Sequence, residues 1–296
     1  MNDTNHCEMN SDQLDLPVPR FKRFCLNRRQ WTIVTTVVSF LILLSIFLSG
    51  WLMGNERLTT NFAVRNQAPS LSYLFGTDWL GRDMLIRTVK GLSLSISVGI
   101  MAAAISAVIA LALGMLAATM GKWMDAFISW LVDLFLGVPH LVILILIAFT
   151  LGGGAKGVIV GIALTHWPSL TRVIRAEVLQ LRSAEYIQVS RRLGRSRWWI
   201  ASRHMLPHLL PQLLIGFILL FPHAILHEAA ITFLGLGLSP HQPAIGIILA
   251  ESMRYLSTGM WWLAFFPGLT LLLVVRTFDI VGHNLQQLFD PHHAHQ

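Results

Sequence analysis

The stretch Leu92-Ser93-Leu94-Ser95-Ile96-Ser97-Val98-Gly99-Ile100-Met101-Ala102-Ala103-Ala104-Ile105-Ser106-Ala107-Val108-Ile109-Ala110-Leu111-Ala112-Leu113-Gly114-Met115-Leu116-Ala117-Ala118 contains no Asp, Glu, Lys or Arg. A helix crosses the hydrocarbon core of a bilayer with about 20 mostly apolar residues. This stretch meets that length with residues to spare. Five further segments have the same character, at 31–53, 124–148, 157–173, 209–233 and 258–280. Of the 296 residues 54% are hydrophobic and 12% charged, where a soluble domain carries about 25% charged residues. Too little polar surface exists to cover a water-soluble globule. The expected fold is therefore all-α and membrane-integral, with about six transmembrane helices.

Polar or glycine-rich breaks separate the spans. Arg28 and Arg29 precede the first, and Gly54-Asn55-Glu56-Arg57 follows it. Met120-Gly121-Lys122 divides the second from the third, and Gly152-Gly153-Gly154-Ala155-Lys156 the third from the fourth. The fourth is short on this reading, because Trp167-Pro168 interrupts it. The first apolar run begins after 30 mostly polar residues and is too long for a signal-peptide core, so it is read as a retained helix. Of the 22 Lys and Arg, fifteen fall in the N-terminal tail, at Lys122, in the loop 172–203 and at Arg276. Lys and Arg accumulate in cytoplasmic loops, which places both termini and that loop in the cytoplasm and accounts for the net charge of +7 without nucleic acid. The expected division is a cytoplasmic tail at 1–30, a transmembrane unit at 31–283 and a His-bearing tail at 284–296. Cys7 and Cys25 both precede the first span and form no CxxC pair.

The loop from about 174 to 208 holds the most specific signal. It contains Glu185-Tyr186-Ile187-Gln188-Val189-Ser190-Arg191-Arg192-Leu193-Gly194, then Ile200, then Arg203-His204-Met205-Leu206-Pro207. A short helix is expected up to Leu193 with Gly194 as its C-terminal stop. Ile187 and Arg191 lie one turn apart, so the helix offers apolar and basic groups together. Such a helix suits docking into a groove on a soluble partner.

Glu185, Gly194, Ile200 and Pro207 resemble the coupling motif of ATP-binding-cassette importer permeases, and Tyr186 and Arg191 match its dipeptide, oligopeptide and nickel branch. The block Leu74-Phe75-Gly76-Thr77-Asp78-Trp79-Leu80-Gly81-Arg82-Asp83…Arg87 resembles the signature of that branch after the first span, with a structural role near the outer mouth. Asp133…Pro139 and Phe233-Leu234-Gly235-Leu236-Gly237 are similar to two further family blocks, and the resemblance spans about 31–291. Val189, Ser190, His208, Ile86 and Ala244-Ile245-Gly246 depart from the family pattern. The resemblance implies a permease half that pairs with a homologous permease. It implies two ATP-binding subunits docked on the coupling helices of the pair and an extracytoplasmic solute-binding protein at the outer mouth. It further implies an inner-membrane location and ATP bound on the partners, with no cofactor on this chain. No Gly-x4-Gly-Lys-Ser/Thr loop occurs in the sequence.

Twelve histidines is a high count. His140, His166, His223, His227 and Glu228 fall within or at the edges of spans, where an ionisable side chain is costly and marks a functional hypothesis. His223 and His227 are four apart and share a helix face. Imidazole suits nickel, zinc and copper. His166, His223, His227 and Glu228 are accordingly candidate transit ligands for a divalent cation. The alternative is that these groups hydrogen-bond between helices. His166-Trp167, His223-x3-His227 and the tail Asp290-Pro291-His292-His293-Ala294-His295 look like the nickel-importing members of the branch, which implies nickel or a nickel chelate as cargo. A dipeptide or oligopeptide is the alternative cargo. An intramembrane metal-dependent enzyme is a more distant rival: in His227-Glu228-Ala229-Ala230-Ile231 the position of a second zinc-binding His is occupied by Ile.

Overall fold

The computed structural model describes residues 28–54 and 56–289. The N-terminal tail with Cys7 and Cys25, and the His292–His295 tail, lie outside the described residues. The described chain is all-helical. It contains α1 (Arg28–Leu52), α2 (Met84–Thr119), α3 (Lys122–Gly137), α4 (His140–Thr150), α5 (Gly154–Ser183), α6 (Glu185–Arg192), α7 (Arg197–Ile200), α8 (Leu206–Phe233), α9 (Ile245–Leu256) and α10 (Trp262–Phe289). Five helices among the described residues are long and apolar enough to cross a membrane, and there are six if α3 and α4, bent by 95° at the break between them, are counted as one span.

The α2–α5 pair is the spine of the bundle. Ala102, Ala103, Ala107, Ala110, Ala117 and Ala118 of α2 are buried. Lipid offers no hydrophobic drive for helix association, so contact depends on close backbone approach, which small residues permit. Gly114 is the tightest point: a Cβ there would stand 2.8 Å from Ile174 Cγ2 and 3.1 Å from the Thr171 carbonyl. α8 packs on both α2 and α5, while α1, α9 and α10 close the other side of the bundle.

Two sequence expectations are corrected here. The third span is not straight. Gly137 ends α3, Val138 turns extended, and Pro139 precedes a new helix that starts at His140, as the constraint on a residue before proline favours. The fourth span is not short either, because α5 continues through Pro168 to Ser183. Pro168 has no N–H to donate to the Leu164 carbonyl, but Trp167 Nε1 donates to that oxygen at 2.9 Å. A buried backbone group in lipid has to be satisfied, and the indole of Trp167 does this without a break in the helix. The later half of α5 is held to α3 by Arg175, which grips both carboxylate oxygens of Asp125.

Gly114→Val forces a β-branched side chain against Ile174 and should cost about 1–3 kcal/mol. Thermal unfolding in detergent, followed by circular dichroism, should show a lower midpoint. Gly137→Val, where a Cβ meets nothing within 4 Å, should leave the midpoint close to that of the unaltered chain.

Candidate functional site

Three regions carry the residues singled out above. The first is the segment after α5. Glu185 opens α6 and Ile187 is fully buried beneath it, while Tyr186, Val189 and Leu193 stay exposed. The helix is pinned by one apolar side chain and presents the rest of its surface outward. Gly194 follows with φ of +78°, a left-handed conformation that is easy for Gly and strained for other residues. Ile200 is buried and Pro207 sits in the first turn of α8. Between them Ala201–Met205 forms a π-helical segment that joins α7 to α8. His204 in that segment packs edge-on against Tyr186 at 5.8 Å and Trp199 at 5.1 Å between ring centroids. Arg191 is exposed on the outward side of α6.

The second region is the loop before α2. Gly76 and Gly81 have φ of +72° and +76°, and a Cβ on Gly81 would fall 1.8 Å from the Asn61 carbonyl oxygen. Only Gly fits there. The buried Thr77 hydroxyl donates to Val64 O and accepts from Gln67 N. Asp78 Oδ1 accepts the backbone N–H groups of Leu80 and Arg82, each at 2.9 Å. Its Oδ2 accepts Arg82 Nε at 2.7 Å and Arg87 Nη1 at 3.1 Å. Arg87, also buried, reaches across to Glu251 of α9 at 2.6 Å. Asp83 caps the start of α2 by accepting from Leu85 N and Ile86 N. These acids and arginines lock a turn by charge-assisted bonds. Glu251 lies 164 residues from Arg87, and nothing in the local sequence marks that pairing.

The third region is a cavity of about 260 Å³ between α4, α5 and α8. Its polar lining is His140, Thr165, His166, Ser169, His223 and His227, and its apolar lining is Leu136, Pro168 and Leu220. His140, His166 and His227 converge, with ring centroids 4.4, 4.6 and 5.0 Å apart. One ring nitrogen from each lies within 4.8 Å of the others. The α3–α4 bend is what turns His140 toward the other two. His223 lines the cavity without joining the cluster. Glu228 is corrected: it faces away, toward Ser95 of α2, fully buried, with its Oε1 accepting the Thr232 hydroxyl at 2.9 Å. Thr232 Oγ1 in turn accepts Leu238 N, so Glu228 braces the Phe233–Gly237 turn. A position about 100° around the helix from His227 belongs to the α2-facing side of α8. His140 is the cluster member that the ligand set drawn from the sequence omitted. Its signal was a polar residue directly after Pro139 inside an otherwise apolar segment.

A helical bundle of this kind, with an exposed short helix between the fourth and fifth spans, has relatives. Residues 110–294 match the family model described as "Binding-protein-dependent transport system inner membrane component". The chain belongs to that family. It is 31% identical over 275 residues to a putative peptide transport system permease protein of Brucella suis, covering 93% of this chain and 92% of the relative. It is 31% identical over 258 residues to the dipeptide transport system permease protein of Bacillus subtilis, covering 86% and 79%. A probable D,D-dipeptide transport system permease protein of Escherichia coli is 32% identical over 260 residues, covering 88% and 87%. The inward-facing MetNI methionine ABC transporter has a chain of the same fold, with a TM-score of 0.58 at 19% identity over 70% of this chain and 98% of that one. The chain is thus an inner-membrane permease subunit of an ABC importer and not itself an ATPase.

Arg87→Ala removes one of the two arginine partners of the buried Asp78 and leaves Glu251 with only its longer contact to Arg82, at 3.5 Å. Breaking a buried pair on one side costs about 3–5 kcal/mol, so little folded permease should survive extraction, as read by size-exclusion chromatography. Arg87→Lys should recover part of the yield, since Lys keeps the charge but lacks the fork that bridges two carboxylates.

Proposed function

We propose that this permease forms half of a translocation path with a homologous permease, that two ATP-binding subunits dock on the coupling helices of the pair, α6 in this chain, and that a solute-binding protein delivers cargo on the side of the Gly76–Asp83 loop. The observation that carries the coupling assignment is α6 itself: Ile187 fixes it to the bundle while Tyr186, Val189 and Leu193 stand exposed. Both termini lie on the same side as α6, the side richer in Lys and Arg. The residues before α1 and after α10 are cytoplasmic tails in this reading. ATP binding on the partners moves α6, and the bundle responds by shifting population between discrete inward- and outward-open arrangements.

For the cargo, the relatives' names support a small peptide of the dipeptide class, a solute that the cavity between α4, α5 and α8 accepts by hydrogen bonding. A second reading, nickel or a nickel chelate, is favoured by a different observation, the convergence of His140, His166 and His227 on that cavity.

Uptake of labelled dipeptide and of radioactive nickel by cells with and without this gene separates the two. Loss of dipeptide uptake alone fixes the first reading, and loss of nickel uptake alone fixes the second. Gly194→Leu places a side chain at φ of +78°, a strain of about 1–3 kcal/mol at the end of α6. Uptake of the cargo should fall to background while the protein still inserts at normal abundance. Normal uptake by that variant would sink the coupling assignment.

A further inference from the structure

We propose that His140, His166 and His227 form a three-nitrogen site for a late first-row divalent metal ion, with the remaining coordination positions open to the cavity. The inference rests on the reading that this cavity lies on the importer's path. It goes further by naming the ligand set and by leaving His223 and Glu228 out of it.

Hydrogen bonding settles which nitrogens are available. His166 Nδ1 lies 3.0 Å from the Ile162 carbonyl, and His227 Nδ1 lies 2.7 Å from the His223 carbonyl. A carbonyl can only accept, so each Nδ1 carries the hydrogen, and the Nε2 of each neutral ring presents a lone pair. Metal-binding histidines commonly donate their other N–H to a backbone carbonyl in this way, which fixes tautomer and ring orientation. The Nε2 of His166 is the telling atom. It is buried and has no hydrogen-bond partner, although its residue is 7% exposed. A buried polar atom without a partner is costly, and a metal ion supplies the missing one. His140 is oriented by Thr165: its Nε2 lies 3.4 Å from the Thr165 hydroxyl. That hydroxyl donates to Gly161 O at 2.9 Å and can accept from the ring. In that tautomer the lone pair of His140 is on Nδ1.

The spacing is close to what a metal requires. With metal–nitrogen bonds of about 2.1 Å in tetrahedral geometry, ligand nitrogens stand about 3.4 Å apart. The three nitrogens here lie within 4.8 Å of one another, so ring rotations of the order of an ångström close the set. An all-imidazole set suits nickel, copper and zinc rather than magnesium or calcium, which prefer oxygen. Three protein ligands leave at least one coordination position free. The three histidines line the same cavity as Ser169 and His223, which leaves room for a small chelator to stay on the ion while the histidines hold it. Three ligands drawn from three separate segments also allow release, because a shift of one segment removes a ligand.

The test is equilibrium binding of radioactive nickel ion alone to the intact importer complex, purified in detergent through a tag on this chain. The expected result is one ion per copy of this chain, with zinc competing and magnesium not. His140→Ala, His166→Ala and His227→Ala should each weaken binding by about tenfold or more, and exposed His283→Ala should not. X-ray absorption of the nickel-loaded unaltered complex should show three imidazoles on the metal, a readout that does not depend on any variant folding. Absence of nickel and zinc binding to the unaltered complex overturns the proposal. So does unchanged binding by the variant carrying all three substitutions. Gly194→Leu separates this inference from the transport reading: it should bind nickel as the unaltered complex does while failing in uptake.

Discussion

Everything in this bundle hangs on how closely α2 and α5 approach. A lipid-embedded helix pair gains nothing from hiding apolar surface, so its stability comes from dispersion contacts that fall away within an ångström. The alanine face of α2 and the bare Cα of Gly114 let Ile174 seat against the α2 backbone. Once α5 is fixed in this way, His166 faces the interior, Arg175 meets Asp125 on α3, and the start of α6 is set by the end of α5. The cavity and the exposed helix are thus both located by a single tight crossing that involves no functional side chain.

Backbone satisfaction is the second constraint, and it explains where the sequence was misleading. Pro168 reads as an interruption of the fourth span, since a proline normally frees a carbonyl. The indole of the preceding residue satisfies that carbonyl, a contact that propensity alone does not carry. The opposite happens at Val138-Pro139, where the apolar run breaks by 95°. Hydropathy sees both places as continuous apolar sequence interrupted by one proline. It does not register which side chain covers the freed oxygen.

What was legible from sequence follows the same line. Local signals held at Gly194, which ends α6 in the left-handed conformation, and at Gly76 and Gly81, where a side chain would strike backbone; Ile187, expected on the face offered to a partner, is instead buried against the bundle. The count of about six spans stands because span length and charge are local properties. Long-range facts were not legible. Helix α9 lies in a stretch read as a connection, because 12 residues fall short of a span. The Arg87–Glu251 bridge and the meeting of His140 with His166 and His227 exist only after folding. Glu228 was misplaced because one helical step, about 100°, carries a side chain from the cavity to the α2 interface.

The π-helical turn at Ala201–Met205 gives α8 a particular mechanical character. His204, wedged against Tyr186 of α6 and Trp199, and His227, facing the cavity, ride on the same nearly unbroken rod. At 1.5 Å per residue they are about 35 Å apart along it. A shift of α8 along its length would displace one imidazole relative to two that belong to other helices. A clamp with one moving jaw has a grip that depends on the position of its handle. A tie between the two ends would in this geometry run through the backbone of α8 rather than through a relay of side chains.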